Sequence, residues 1–101
     1  MAIQDVYRAL SDPTRRKILK LLRDGPLPAG QIATEFPIAW PSVSRHLSLL
    51  TSAGLVRSER KGQQLFYELT TSVLVDIVTE LVDLTSVGTG GARQEKAERT
   101  L

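Results

Sequence analysis

The sequence predicts a mainly α-helical fold that carries one small β-hairpin. Apolar residues recur at helical spacing in four segments before residue 54. Two short runs of β-prone residues then flank a glycine, and a last apolar segment returns to helical spacing. These three observations predict elements in the order α-α-α-α-β-β-α within an α+β fold.

Length and composition fit a single small domain. The 101 residues are 42% hydrophobic and 24% charged, and no apolar run is long enough to span a bilayer. The N-terminal segment lacks the pattern of a secretory signal, so we expect a cytoplasmic protein with no direct membrane insertion. We expect residues 1–86 to form the folded domain and the glycine-rich, charged residues 87–101 to form a flexible tail.

Charge is separated along the chain. Residues 1–61 hold ten Lys and Arg against five Asp and Glu, whereas residues 62–88 hold four acids and no base. A basic half suits a surface that contacts phosphate. A run of like charge is also typical of a solvated face, so charge alone does not decide between the two interpretations.

The first two helices are predicted from apolar spacing and capping residues. The apolar face of the first helix, which ends at Ser11, consists of Ile3, Val6, Tyr7 and Leu10. Asp12 and Pro13 are typical of an N-cap and a first helical residue, and they open a second helix that runs to about Arg23. Its basic residues, Arg15 among them, are expected to lie mostly in water.

Two further helices follow, joined by a short turn. The third covers about Ala29 to Phe36, and the fourth begins at Pro41 and ends at Gly54. The fourth helix has an apolar inner face formed by Val43, Leu47 and Leu50. Its outer face carries small hydroxyls and one arginine: Pro41, Ser44, Arg45, Ser48 and Ser52. Such a face can lie in a DNA groove, where hydroxyls bind phosphates and arginine reads guanine.

Residues 55–60 and 63–69 are two β-prone runs, which predict a hairpin with a tight turn at Lys61-Gly62. The tip of this hairpin carries Arg60 and Lys61, and Arg57 lies nearby. Two helices joined by a turn, a hydroxyl-rich second helix and a basic hairpin, in this order, predict a winged helix-turn-helix.

The chain resembles the ArsR/SmtB-type bacterial and archaeal repressors over residues 3–85. The resembling segments are Ala9–Leu19, Pro41–Leu50, Ala53–Val56 and the Arg60–Gly62 wing with Phe66-Tyr67. The resemblance implies a homodimer that places two recognition helices in successive major grooves of double-stranded DNA. It also implies a sequence-specific transcriptional regulator that represses its own or a neighbouring promoter by blocking access.

The candidate DNA-binding residues lie just before the fourth helix, on that helix and on the hairpin: Trp40, Pro41, Ser42, Ser44, Arg45, His46, Ser48, Arg57, Arg60 and Lys61. Trp40 departs from the small or polar residues usual in the family before that proline. It either contacts a sugar or a thymine methyl, or covers the turn between the helices. His46 is expected to have a structural or phosphate-binding role rather than to read bases.

The well-known metal sensors of this family use ligands that this chain lacks. There is no cysteine for the thiolate site of the third helix, and Asp76, Glu80 and Asp83 have no histidine partner because His46 is the single histidine. A carboxylate stripe is usually a solvated face, so we expect no metal and no other cofactor. The resemblance is closest to the metal-independent autorepressor branch, in which a protein partner can be the release signal. A small-molecule or metal-responsive sensor stays an alternative.

The last helix, about Ser72 to Thr85, is apolar over more than half of its circumference. One small core cannot absorb that surface, so we expect a two-fold dimer through this helix and the first helix. The candidate interface residues are Ile3, Val6, Tyr7, Leu74, Val75, Val78, Leu81 and Val82. Two-fold symmetry predicts a near-palindromic operator with half-site centres roughly 34 Å apart.

The sequence shows no set of residues that would make an enzyme. It has no Ser/His/Asp or Cys/His combination and no phosphate-binding glycine loop. The remaining alternative is a winged-helix module that contacts proteins. Such a module should carry apolar anchors on the outer face of residues 41–52, where this chain has serines and Arg45.

Overall fold

The computed structural model describes residues 2–86, which form five α-helices and a small three-stranded sheet. The helices are α1 (Ile3–Leu10), α2 (Pro13–Leu21), α3 (Ala29–Ala33), α4 (Trp40–Ser52) and α5 (Thr71–Thr85). The strands are β1 (Leu27–Pro28), β2 (Val56–Lys61) and β3 (Gln64–Leu69). The predicted mainly α fold with its hairpin is confirmed, and one strand is added. The predicted tail at 87–101 lies outside the described residues.

The start of α2 follows the capping prediction. The Asp12 carboxylate accepts hydrogen bonds from the backbone N–H of Thr14 at 2.9 Å and of Arg15 at 3.2 Å. Both N–H groups lie in the first turn of the helix, where no carbonyl is available to them. At its other end α2 stops at Leu21 and continues as a 3-10 turn over Leu22–Asp24.

The boundaries of α3 and α4 also differ from the prediction. α3 ends at Ala33 instead of Phe36, because the backbone then closes tighter turns, with the N–H of Phe36 bonded to the carbonyl of Ala33. α4 begins at Trp40, one residue before Pro41, which its first turn accommodates. Gly54 follows α4 with φ of +82°, a left-handed conformation that favours glycine.

The sheet is antiparallel with the strand order β1-β3-β2. β1 pairs with β3 at Leu27 opposite Tyr67, where the prediction had only a connecting segment. Its Pro28 is tolerated because β1 is an edge strand. In the hairpin Lys61 pairs with Gln64, so the turn is Gly62-Gln63 instead of Lys61-Gly62. Gly62 has φ of +65°, which this tight turn requires.

One core joins the helices to the sheet. Its buried residues are Val6, Ala9, Ile18, Leu19, Leu22, Ile32, Val43, Leu47, Leu50, Ala53, Leu55, Val56 and Ile77. α5 contributes only Ile77 to this fully buried set, with Val73 and Leu74 half-buried against it. Most of the long last helix therefore lies outside the core of its own chain. Within residues 2–86 no helix is long and apolar enough to cross a membrane.

Candidate nucleic-acid interface

α4 has one fully buried side and one open side. Val43, Leu47 and Leu50 are buried, as predicted from their spacing. The predicted outer residues are exposed, except that Ser44 is half-buried; the exposed ones are Pro41, Ser42, Arg45, Ser48 and Ser52. The helix is therefore anchored along one side, while the other side presents hydroxyls and one guanidinium group to solvent. A surface of this composition can bind phosphates and base edges.

A groove of about 430 Å³ separates the start of α4 from the hairpin. Trp40 and Arg60 line this groove from opposite elements, together with Gln63 and Gln64 of the hairpin. Trp40 is 49% exposed, so about half of its surface is open to solvent. The structure thus brings an exposed indole, a guanidinium group and two amides together at the start of α4.

The basic residues of the hairpin divide between its two faces. Arg57 and Lys61 line a second groove of about 410 Å³, together with Glu59 and Glu68. Side chains alternate along a strand, so Arg60 lies on the other face. Arg57 also pairs with Glu68, with Nε 3.0 Å from the carboxylate. The basic residues predicted at the tip and near it are therefore not equivalent, and Arg60 is the one of the three that lines the groove between α4 and the hairpin.

A hydrogen-bonded cluster joins α1 and α2 to α4. The Arg15 guanidinium donates to the carbonyls of Ala9 at 2.7 Å and Arg8 at 3.0 Å, and it lies 3.2 Å from Nδ1 of His46. Asp12 lies 3.9 Å from the same nitrogen. Arg15 is only 9% exposed, although the basic residues of α2 were expected to lie mostly in water. The signal that locates it is its spacing of three, four and seven residues before the buried positions of α2 and the turn that follows.

Asp12 is ionised over a wider pH range than an ordinary aspartate. Partial burial raises the pKa of its carboxyl, but the hydrogen bonds from the backbone N–H groups of Arg15 and Thr14 and the nearby charge of Arg15 outweigh that effect. The net result is a pKa below the usual value. At neutral pH the capping group of α2 is therefore a carboxylate.

The apolar face of α5 is largely open. Val75, Val78, Leu81 and Val82 are exposed, as are Ile3 and Tyr7 of α1, so these predicted interface residues are available for contact. Leu74 is half-buried. Val6 is 0% exposed, so its prediction as an interface residue was wrong: the core of its own chain covers it. Leu84, which was not among the predicted residues, is 74% exposed and extends the same surface.

The acidic residues of α5 form no metal-binding cluster within residues 2–86. In that part of the chain no group of three or more His, Cys, Asp or Glu side chains comes close enough to hold an ion. Asp76, Glu80 and Asp83 are exposed on the helix. This arrangement is typical of a solvated stripe.

Comparison with known proteins identifies the family of this chain. Residues 12–58 match the family described as bacterial regulatory protein, arsR family. The chain is 44% identical over 86 residues to the transcriptional repressor SdpR of Bacillus subtilis strain 168, covering 85% of this chain and 96% of SdpR. A match over nearly the full length of that relative places the likeness in the whole fold rather than in a short motif.

Solved structures with the same fold include two bacterial regulators. The ArsR-like transcriptional regulator from Rhodococcus sp. superposes with a TM-score of 0.72 at 30% identity, covering 81% of this chain and 77% of that chain. A homodimeric winged helix-turn-helix DNA-binding domain from Mycobacterium bovis, described as a possible ArsR-family regulator, gives a TM-score of 0.66 at 30% identity. That match covers 80% of this chain and 78% of the other. The chain belongs to the ArsR family of winged helix-turn-helix transcriptional regulators.

Proposed function

We propose that the chain is a dimeric repressor that binds a near-palindromic operator in double-stranded DNA through two copies of α4. The observation that carries this proposal is the exposed face of α4, where Arg45 and serine hydroxyls stand opposite a fully buried apolar side. In this account Arg45 reads a base edge, and Ser42 and Ser48 bind phosphates.

The groove between α4 and the hairpin supports a second contact in each subunit. Arg60 is placed to meet a phosphate flanking the groove-bound helix, and Trp40 can pack on a sugar or a thymine methyl. Arg57 contributes less, because Glu68 already pairs with it. Lys61 lies on the other face of the hairpin, 5.4 Å from the ring centre of Phe66, and is a peripheral contact at most.

The dimer is proposed to form through α5 and the exposed residues of α1. A soluble monomer rarely leaves a continuous apolar surface of this kind in water. Val75, Val78 and Val82 recur at the spacing of one helical face and are all exposed. The Mycobacterium bovis domain is described as homodimeric, which favours the same arrangement here. A dimer related by a two-fold axis would bind half-sites about one helical turn apart.

Repression would follow from occupancy of a promoter in the cytoplasm. The match over 96% of a protein named as a repressor supports this direction of regulation. The signal that releases the DNA is proposed to be a protein partner or a small molecule, because residues 2–86 offer no cluster of metal ligands.

Fluorescence anisotropy tests the proposal with two duplexes of equal length, one from upstream of the protein's own gene and one with that sequence shuffled. At near-physiological salt we expect a preference of about a thousandfold or more for the upstream duplex. Weak, equal and salt-dependent binding would contradict an autoregulatory operator at that place. An absence of binding even at low salt would favour a module that contacts proteins.

A further inference from the structure

His46 is held inside the fold by one edge of its ring. Its Nδ1 lies 3.2 Å from a terminal nitrogen of the Arg15 guanidinium. Arginine carries hydrogen-bond donors only. A proton on Nδ1 would therefore set two donors against each other at this distance. The contact is attractive only when Nδ1 accepts, which places the proton of the neutral imidazole on Nε2.

Arg15 is rigid enough to impose this choice. Its other donors bind the carbonyls of Ala9 and Arg8 at the end of α1, where the helix leaves carbonyls without intrahelical partners. The side chain is buried, so water does not compete strongly for these groups. The Asp12 carboxylate could accept a hydrogen bond only from a protonated Nδ1. It lies 3.9 Å from that nitrogen, beyond hydrogen-bond distance.

The nitrogen on the opposite edge of the ring is Nε2. Within residues 2–86 the polar contacts of the imidazole involve Nδ1 only. The side chain retains 19% exposure. It lies on α4 one turn after the exposed Ser42, and therefore on the flank of the face proposed to meet DNA.

We propose, building on the DNA-binding function above, that Arg15 fixes His46 in the tautomer whose Nε2–H donates to a phosphate oxygen of bound double-stranded DNA. Arg15 is then a positioning residue, and His46 makes the contact. The donor is neutral, so it adds affinity without releasing counterions. This property separates it from the cationic contact of Arg60.

The variant His46→Asn removes only the proposed donor. Its carboxamide oxygen can replace Nδ1 as the acceptor for Arg15, but no group reaches the position of Nε2. We expect about tenfold weaker binding to both the upstream and the shuffled duplex, since a phosphate contact carries no sequence information. The dependence of affinity on salt and the urea midpoint of unfolding should stay unchanged.

The matched variant His46→Gln reverses the arrangement. Its longer amide restores a donor near Nε2 but places no acceptor at Nδ1, so we expect a lower urea midpoint with DNA affinity above that of His46→Asn.

Parental affinity in His46→Asn would overturn the proposal. A loss restricted to the upstream duplex would also overturn it, because it would make His46 a base-reading residue. So would a reduced salt slope, which indicates a charged contact.

The tautomer itself is measurable without DNA. The chain has one histidine, so the ¹⁵N spectrum of the untagged protein contains one imidazole ring. At neutral pH we expect the proton on Nε2 in the parent, and a proton on Nδ1 would overturn the role of Arg15. Because this readout needs no operator, it separates failure of the inference from failure of the proposed function. A parent that binds neither duplex would contradict both the function and the phosphate contact.

Discussion

Arg45 is the one arginine or lysine within α4, and it is exposed. We therefore expect Arg45→Ala to cost about 1–3 kcal/mol of binding free energy on the upstream duplex and to relax sequence preference at one position. Anisotropy on duplexes with single base changes measures both effects. An equal loss on every sequence would mean that Arg45 binds phosphate instead of a base.

Arg60 and Arg57 lie on the same strand but should behave differently. Arg60→Ala should weaken binding to both duplexes and lower the salt slope by about one per subunit, because a cation that meets phosphate is lost. The control is Arg57→Ala with Glu68→Ala, which removes an ion pair and keeps the net charge. We expect the control to leave the slope unchanged, and an equal fall in both proteins would contradict the division of the hairpin into two faces.

Trp40 provides its own probe, because the chain has a single tryptophan. If the indole packs on DNA, its emission should change saturably on titration with the upstream duplex. The midpoint should agree with that from anisotropy. Unchanged emission in a complex that anisotropy detects would mean that Trp40 only borders the turn.

Among individual residues, the sequence predicted the burial of apolar positions better than that of polar ones. Spacing alone placed Val43 and Leu47 on the buried side of α4. The same spacing puts Arg15 on the buried side of α2, but its charge suggested solvent. What keeps Arg15 inside is a set of partners supplied by α1 and α4, and pairing between distant segments is not visible in local sequence.

Asp12 shows how much one capping residue does for an element. Asp12→Ala should destabilise the protein by about 1 kcal/mol, because two N–H groups of α2 lose their acceptor. Asp12→Asn keeps a cap and removes the charge, so it serves as the control. Urea unfolding measures both variants, and an unchanged midpoint in Asp12→Ala would contradict the role of the cap.

The pH dependence of stability in the parent and in Asp12→Asn follows from the direction of the Asp12 pKa shift. The pKa of Asp12 is lower in the folded chain than in the unfolded one, so its carboxylate stabilises the fold above about pH 4. That contribution is lost as the pH falls through the folded value. The difference in unfolding free energy between the parent and Asp12→Asn should therefore shrink below about pH 4. A difference that grows on acidification would contradict the shift.

Among the elements, those with local signals were predictable and those that depend on pairing were not. α2 carries its own cap and proline, and the predicted start was correct. β1 has two residues, one of them Pro28, and is a strand only because β3 offers an edge to it. The early end of α3 likewise depends on turns that the residue pattern does not distinguish from helix.

For the whole molecule, the open face of α5 is the surface proposed to form the dimer. Val78 is 57% exposed, so Val78→Glu should leave the folded monomer intact while placing a charge in the proposed dimer interface. We expect light scattering to show a monomer, with DNA binding weakened because two linked half-site contacts become independent. Asp76→Ala, on the acidic stripe, is the matched control. A Val78→Glu protein that stays dimeric would place the interface elsewhere.

The dimer interface could be predicted only in part from the sequence. A surplus of apolar residues on α5 predicts that something covers them, and the exposed face agrees with that expectation. The sequence pattern does not show which apolar residues the core of the chain itself buries. Val6 was therefore assigned to the interface although the core encloses it. Only the packing of α1 against α2 and α4 separates it from Ile3 and Tyr7.

Hydroxyl-radical footprinting on the upstream duplex tests the central claim most directly, since it reports both the contact and its symmetry. A dimer that inserts two α4 helices should protect two patches related by a two-fold axis, with centres about one helical turn, roughly 34 Å, apart. A single protected patch, or uniform protection along the duplex, would contradict the proposed dimeric operator complex.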